Sequence, residues 1–131
     1  MNINIVKQEK DISRVIINDP KTYNSLSSKN LIDLIKVFKK LDNDKKVKVI
    51  ILEGAGKGFC AGHNLQEVQD LKRRKKYQKL FNLCSDLMMQ IIEGKKPVIA
   101  KVHGAAYAAG CQLVASCDLA YSTKDALFAT P

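Results

Sequence analysis

Apolar and polar positions change period several times along the chain, and each change marks an element. Ile3-Asn4-Ile5-Val6 alternates, and Ile12 to Ile17 is rich in β-branched residues, so both segments predict short strands. Asn18-Asp19-Pro20 interrupts the second strand, and the polar stretch to Ser25 reads as a loop. Ser27 or Ser28 can cap a helix that runs to about Leu41. Within it Leu31, Leu34, Ile35, Phe38 and Leu41 recur at the three-to-four spacing that stacks side chains on one face. Asn43-Asp44 ends that helix. Val47 to Leu52 is apolar at nearly every position, which predicts a strand covered on both faces.

Gly54-Ala55-Gly56-Lys57-Gly58 then forms a loop, and from about Asn64 to Glu93 the pattern is mainly helical with a break near a basic run. Tyr77, Leu80, Phe81, Cys84, Leu87, Met88, Ile91 and Ile92 make its second part amphipathic, and Gly94-Lys95-Lys96-Pro97 stops it. Val98 to Val102 predicts a buried strand. His103 to Gly110 is a small-residue loop that opens a short helix, Cys111 to Ser116. Asp118 to Tyr121 and Leu127 to Ala129 predict short strands. The order β-β-α-β-α-β-α-β-β places the chain in the α/β class, with helices covering a sheet.

Composition narrows the class further. A length of 131 residues suits one domain, and 46% hydrophobic with 27% charged residues is the profile of a folded chain. No apolar run approaches the roughly 18 residues a membrane span requires, so no membrane partner is expected. Met1 to Lys10 lacks the basic-then-apolar order of a signal peptide, and Glu9 and Asp11 argue against a transit peptide, which predicts a cytoplasmic protein. Cys60, Cys84, Cys111 and Cys117 form no CxxC pair, so neither a zinc site nor a disulfide framework is indicated. The net charge of +9 favours anionic partners, including a phosphorylated ligand. Its densest run, Lys72-Arg73-Arg74-Lys75-Lys76, has no interleaved aromatics and no nucleic-acid motif beside it, so it reads as a solvated helix face and no nucleic acid is expected.

Two segments carry candidate chemistry. Phe59-Cys60-Ala61-Gly62-His63-Asn64-Leu65 and His103 through Gln112 both place small residues where a strand hands over to a helix. Backbone N–H groups there are free of intrahelical partners, and the helix dipole favours negative charge. Two such groups converging on one oxygen make an oxyanion hole, which stabilises an enolate or a tetrahedral oxyanion. The residues alone leave a second reading open, in which small residues only let a helix pack closely on a strand. A dinucleotide or phosphate-loop reading of Gly54 to Gly58 fails, because Phe59 stands where a third glycine is needed and Gly58 follows Lys57 where Ser or Thr is needed. A nucleophilic pair of Cys60 with a histidine, His63 or His103, is the remaining alternative.

The first segment resembles the motif F-[CS]-[AS]-G-x-D-[LI] of the enoyl-CoA hydratase/isomerase (crotonase) superfamily. The second, from Lys96-Pro97-Val98-Ile99-Ala100 through Gly104, Ala109-Gly110-Cys111-Gln112-Leu113 and Cys117-Asp118, resembles that superfamily's K-P-x-I-A-x-[VI]-x-G-x-[AC]-x-G-G-G-x-E-L-x-x-x-C-D. Ala108 to Leu113 and Phe128 to Pro131 are similar to its branch called enoyl-CoA hydratase domain-containing protein 3. The resemblance covers essentially the whole chain as the N-terminal part, 1–131, of a crotonase-like domain. It implies a partial spiral of β-β-α units, with the family's C-terminal helices absent. It also implies an acyl-CoA thioester as partner, coenzyme A only as part of the substrate, no metal and no tightly bound cofactor. A homo-oligomer, trimer or hexamer, follows by family. The implied oxyanion donors are the backbone N–H groups of His63 and Ala109, with Gly110 beside the second. Lys57, Phe59, Ala61, Gly62, Asn64 and Leu65 are implied in binding substrate and CoA, and the helical segment from Leu65 to Lys76 in lining the acyl pocket.

The departures bear on the reaction. Family hydratases use two glutamates as general acid and base, which requires groups that titrate. Gln112 occupies the first position, and an amide exchanges no proton at neutral pH. The second would fall just past Pro131. Asn64 replaces the usual aspartate but can make the same capping hydrogen bonds. The expectation is therefore a thioester-binding member of the family without hydratase activity, the alternative being a non-catalytic acyl-CoA-binding or assembly module.

Overall fold

A computed structural model describes residues 2–131. Strands β1 (Ile3–Glu9) and β2 (Ile12–Ile17) form an antiparallel hairpin, and β3 (Val49–Gly54), β4 (Val98–Val102) and β6 (Leu119–Ser122) extend it in parallel, in the order β1-β2-β3-β4-β6. A second, two-stranded parallel sheet pairs β5 (Ala105–Tyr107) with β7 (Leu127–Ala129). The helices are α1 (Ser28–Asp42), α2 (Leu65–Asp70), α3 (Arg74–Glu93) and α4 (Ala109–Ser116), with a 3-10 turn at Pro20–Thr22.

Local chemistry explains most of these limits. The Ser27 side chain accepts from the Asn30 N–H and starts α1. Asn64 does the same for α2, accepting from the N–H groups of Gln66 at 3.0 Å and Glu67 at 3.1 Å, so the capping role survives the loss of the aspartate charge. The helical stretch breaks between Asp70 and Arg74, at the basic run, as the pattern predicted. Lys96 ties the helix end to the sheet: its Nζ donates to the carbonyls of Leu41 at 3.3 Å, Asp44 at 2.6 Å and Val47 at 2.5 Å. Leu41 lies in the last turn of α1, and Asp44 and Val47 in the loop that follows it.

Val15, Ile17, Ile50, Leu52, Val98, Ala100 and Val102 point to one side of the sheet. There they join Leu31, Leu34, Phe38, Leu80, Leu87 and Ile91 in a single buried cluster with α1 and α3. The opposite side differs from the expectation for β3. Burial alternates from Val49 to Leu52, and Ile16, Ile51 and Ile99 are half-buried while Leu119 and Tyr121 are exposed. An all-apolar strand permits burial on both faces, but only packing layers supply it. Strand β5 is the element the sequence pattern missed, inside a stretch that reads as loop. Three residues of Ala-Ala-Tyr are too few to show a period, and their pairing comes from β7, about twenty residues away.

Candidate functional site

The two small-residue segments meet. Cys60 bridges in parallel to Ala106, with the N–H groups of Phe59 and Cys60 both 3.1 Å from the Ala105 carbonyl and the Tyr107 N–H 3.0 Å from the Cys60 carbonyl. On its other side the first segment is held by the chain before α1. The Ala61 N–H donates to the Tyr23 carbonyl at 3.0 Å, and the Leu26 N–H to the Gly62 carbonyl at 2.7 Å.

Two glycines make the meeting possible. Gly62 has φ +93, and a Cβ there would stand 3.0 Å from the Tyr107 carbonyl oxygen and 3.3 Å from the Ala109 nitrogen. At Gly110 a Cβ would lie 2.1 Å from the Cys60 carbonyl oxygen, so the first turn of α4 rests directly on the other segment's backbone. Ala108, just before α4, adopts φ 51 and ψ −119. That region suits glycine, and the family motif has glycine there; an alanine held in it stores on the order of 1–3 kcal/mol of strain.

The result is a pair of unpaired backbone donors, on half-buried His63 and buried Ala109. Ala109 opens α4, and neither its N–H nor that of His63 has a hydrogen-bond partner among the described residues. Unpaired N–H groups on two segments in contact, one of them at a helix N-terminus, suit a partial negative charge on an incoming oxygen. Beside them lies an apolar cleft of about 400 Å³ lined by Tyr23, Lys57, Gly58, Ala61, Ala105 and Tyr107. A larger groove, about 650 Å³, runs between α1 and α3 along Ile32, Ile35, Leu83 and Met89.

Other residues singled out from the sequence sort as follows. Lys57 is exposed at the cleft, Ala61 half-buried in its wall, and Leu65 exposed at the start of α2. Phe59 departs from the binding role implied for it: its ring is fully buried in the core, so its side chain meets protein and not ligand. Gln112 is exposed on α4, one turn beyond Ala109, with its N–H on the Ala108 carbonyl at 3.0 Å. Cys60 is no nucleophile, because burial pushes its thiol up to about 12. His103 is a structural residue whose Nε2 lies 2.7 Å from the Gly56 carbonyl. Asp118 accepts from the Val98 N–H at 2.8 Å and orients β4 against β6. Glu67 accepts from the Ser28 N–H at 3.0 Å, and Glu53 is paired with Arg14 at 2.6 Å.

The sequence reading missed Tyr23 and Asn24. Both sit at positive φ, 55 and 57. The buried Asn24 amide donates to the carbonyls of Ala55 at 2.7 Å, Gly58 at 3.0 Å and Phe59 at 3.2 Å, while its Oδ1 accepts from the Asp19 N–H at 2.8 Å. It therefore shapes the loop that carries Lys57 and leads into the first small-residue segment. The available signal was an asparagine in a polar turn after Asp-Pro, since Asn is enriched in the left-handed region. Periodicity does not detect it.

A five-stranded sheet and a small second sheet whose loops meet at two free backbone donors define a crotonase-like fold, here in part. The comparisons agree. An enoyl-CoA hydratase from Mycobacterium smegmatis superposes with a TM-score of 0.94 at 43% identity, covering 98% of this chain and 50% of that one. Human enoyl-CoA hydratase domain-containing protein 3 superposes with a TM-score of 0.94 at 37% identity, covering 100% of this chain and 51% of that one. Among curated proteins, enoyl-CoA hydratase domain-containing protein 3, mitochondrial, of Danio rerio is 39% identical over 130 residues, which are 99% of this chain and 45% of the relative. The family model described as Enoyl-CoA hydratase/isomerase matches residues 7–131, and the chain belongs to that family. It spans about half the length of the curated relatives it matches.

These relatives correct one expectation. The Danio, Xenopus, mouse and human proteins are named mitochondrial, and an Arabidopsis relative peroxisomal, so the cytoplasmic reading has no support. Compartment is carried by address segments rather than by the fold, and the composition of the first ten residues was too weak a basis for it. No helix among the described residues is long and apolar enough to cross a membrane.

Proposed function

We propose that this chain binds an acyl-CoA thioester at the meeting of its two small-residue segments, with the thioester carbonyl oxygen accepting from the backbone N–H groups of His63 and Ala109. The observation that carries this reading is the close approach of the Gly62 segment to the start of α4, where a Cβ on Gly62 would stand 3.3 Å from the Ala109 nitrogen, with the N–H groups of His63 and Ala109 both without a partner among the described residues. Coenzyme A then enters only as part of the substrate. Its pantetheine chain runs along the apolar cleft between Tyr23, Ala61 and Tyr107, and Lys57 at the cleft attracts a phosphate.

Two converging donors polarise the carbonyl and favour enolate character at the carbon beside it. Hydration of a double bond needs in addition a group that delivers and removes a proton, and Gln112 does neither. The reading is therefore thioester binding and polarisation without hydratase turnover. Crotonyl-CoA and longer enoyl-CoA thioesters, followed by loss of the conjugated absorbance, test it. Little or no hydration is expected, together with binding of acetyl-CoA by calorimetry. Robust hydration would overturn the argument from Gln112, and no heat with acetyl-CoA at millimolar concentration would overturn thioester binding itself.

A further inference from the structure

Ala108 carries a methyl group that the core does not use. The residue adopts φ 51 and ψ −119, a region that suits glycine, yet it is exposed, so the methyl fills no gap between packed elements. Strain of this kind is kept where it serves a site. Both backbone groups of Ala108 are pinned. Its N–H donates to the Ala129 carbonyl at 2.8 Å, and its carbonyl accepts from the Gln112 N–H at 3.0 Å, so the backbone cannot turn to carry the methyl elsewhere.

The direction of the methyl follows from the dihedral angle. In an L-residue the Cα–Cβ bond stands about 120° from the N–Cα bond around the Cα–C axis. At ψ −119 it is therefore nearly eclipsed with the peptide bond to Ala109. That puts Cβ within about 3 Å of the Ala109 nitrogen, on the side its N–H faces. The same methyl lies 3.4 Å from where a Cβ on Gly62 would stand, a point itself 3.3 Å from the Ala109 nitrogen. It thus occupies the ground between the Ala109 N–H and the segment that carries His63.

We infer that the Ala108 methyl is a specificity-determining group that limits bulk beside the thioester oxygen, so that the donor pair takes acyl groups unbranched at the carbon next to the carbonyl. The inference rests on the acyl-CoA reading and narrows its substrate class. An oxygen that accepts from the Ala109 N–H comes up against the methyl. A straight chain turns its first substituent away from that oxygen. A carbon bearing three methyl groups cannot, because their spacing of about 120° leaves one within about 60° of the oxygen in every rotamer.

The test compares propionyl-CoA with pivaloyl-CoA, whose acyl group carries three methyls on that carbon, by calorimetry on the full chain as wild type, Ala108→Gly and Ala108→Ser. Wild type is expected to bind propionyl-CoA at least about tenfold more tightly than pivaloyl-CoA. In Ala108→Gly the ratio should fall to about twofold or less, while Ala108→Ser, which retains a Cβ, should keep it. A general change in stability moves both affinities together and leaves the ratio alone. Equal binding of the two thioesters by wild type, a measurement that needs no variant, overturns the inference while leaving thioester binding intact. A ratio that persists in Ala108→Gly overturns it as well. Absence of binding of either thioester by wild type and by Ala108→Gly removes the acyl-CoA reading and this inference with it.

Discussion

Gly110→Ala tests the closest contact in the site. The new Cβ would stand 2.1 Å from the Cys60 carbonyl oxygen and 2.8 Å from the Cys60 carbonyl carbon, both backbone atoms that no rotamer change can move aside. Relief requires α4 and the Cys60 segment to part by about 1 Å, as close-packed interiors leave no slack to absorb the methyl group. The Tyr107 N–H, now 3.0 Å from the Cys60 carbonyl, is then carried out of hydrogen-bonding range. Overpacking costs about 1–3 kcal/mol and the lost hydrogen bond about 1 kcal/mol, while the better helix propensity of alanine returns up to about 1 kcal/mol. The net expectation is a loss of about 1–3 kcal/mol, read as a lower urea midpoint with an unchanged slope. Because Ala109 moves with α4, thioester affinity should fall by about tenfold or more. Stability within about 0.5 kcal/mol of wild type, with unchanged affinity, would refute the close-approach argument.

Ala108→Gly should act in the opposite direction. Releasing a φ of 51 and ψ of −119 that suit glycine stabilises by about 1 kcal/mol, after glycine's extra freedom in the unfolded chain is subtracted. Thermal unfolding checks it, and a lower Tm contradicts it. Asn24→Ala leaves the carbonyls of Ala55, Gly58 and Phe59 without their amide donor, so a loss of about 2–4 kcal/mol is expected in urea unfolding. A loss below about 1 kcal/mol would mean that the loop does not depend on this side chain. The Arg14 guanidinium, hydrogen-bonded to Glu53, holds that carboxyl below its usual 4.5. A lowered folded value means a contribution present above about pH 4.5 and lost as pH falls through the folded value. Urea midpoints from about pH 7 to pH 3 should therefore drop less steeply in Glu53→Gln than in wild type, and identical slopes would contradict the pairing.

Much of this protein was legible before any tertiary structure. Strands β2, β4 and β7 and helix α1 follow from local period and from caps such as Ser27, because hydrophobic spacing and side-chain-to-backbone bonds act over a few residues. The two small-residue segments were likewise visible, since small residues at a strand-to-helix junction form a local pattern. What tertiary structure alone decided is which groups meet. The pairing of β5 with β7, the exposure of one sheet face, the Asn24 amide spanning from the first loop to residues 55–59, and the buried Nδ1 of His63 all depend on contacts between segments far apart in the chain. Residue order records such contacts only through their outcome, the packing that brings the segments together.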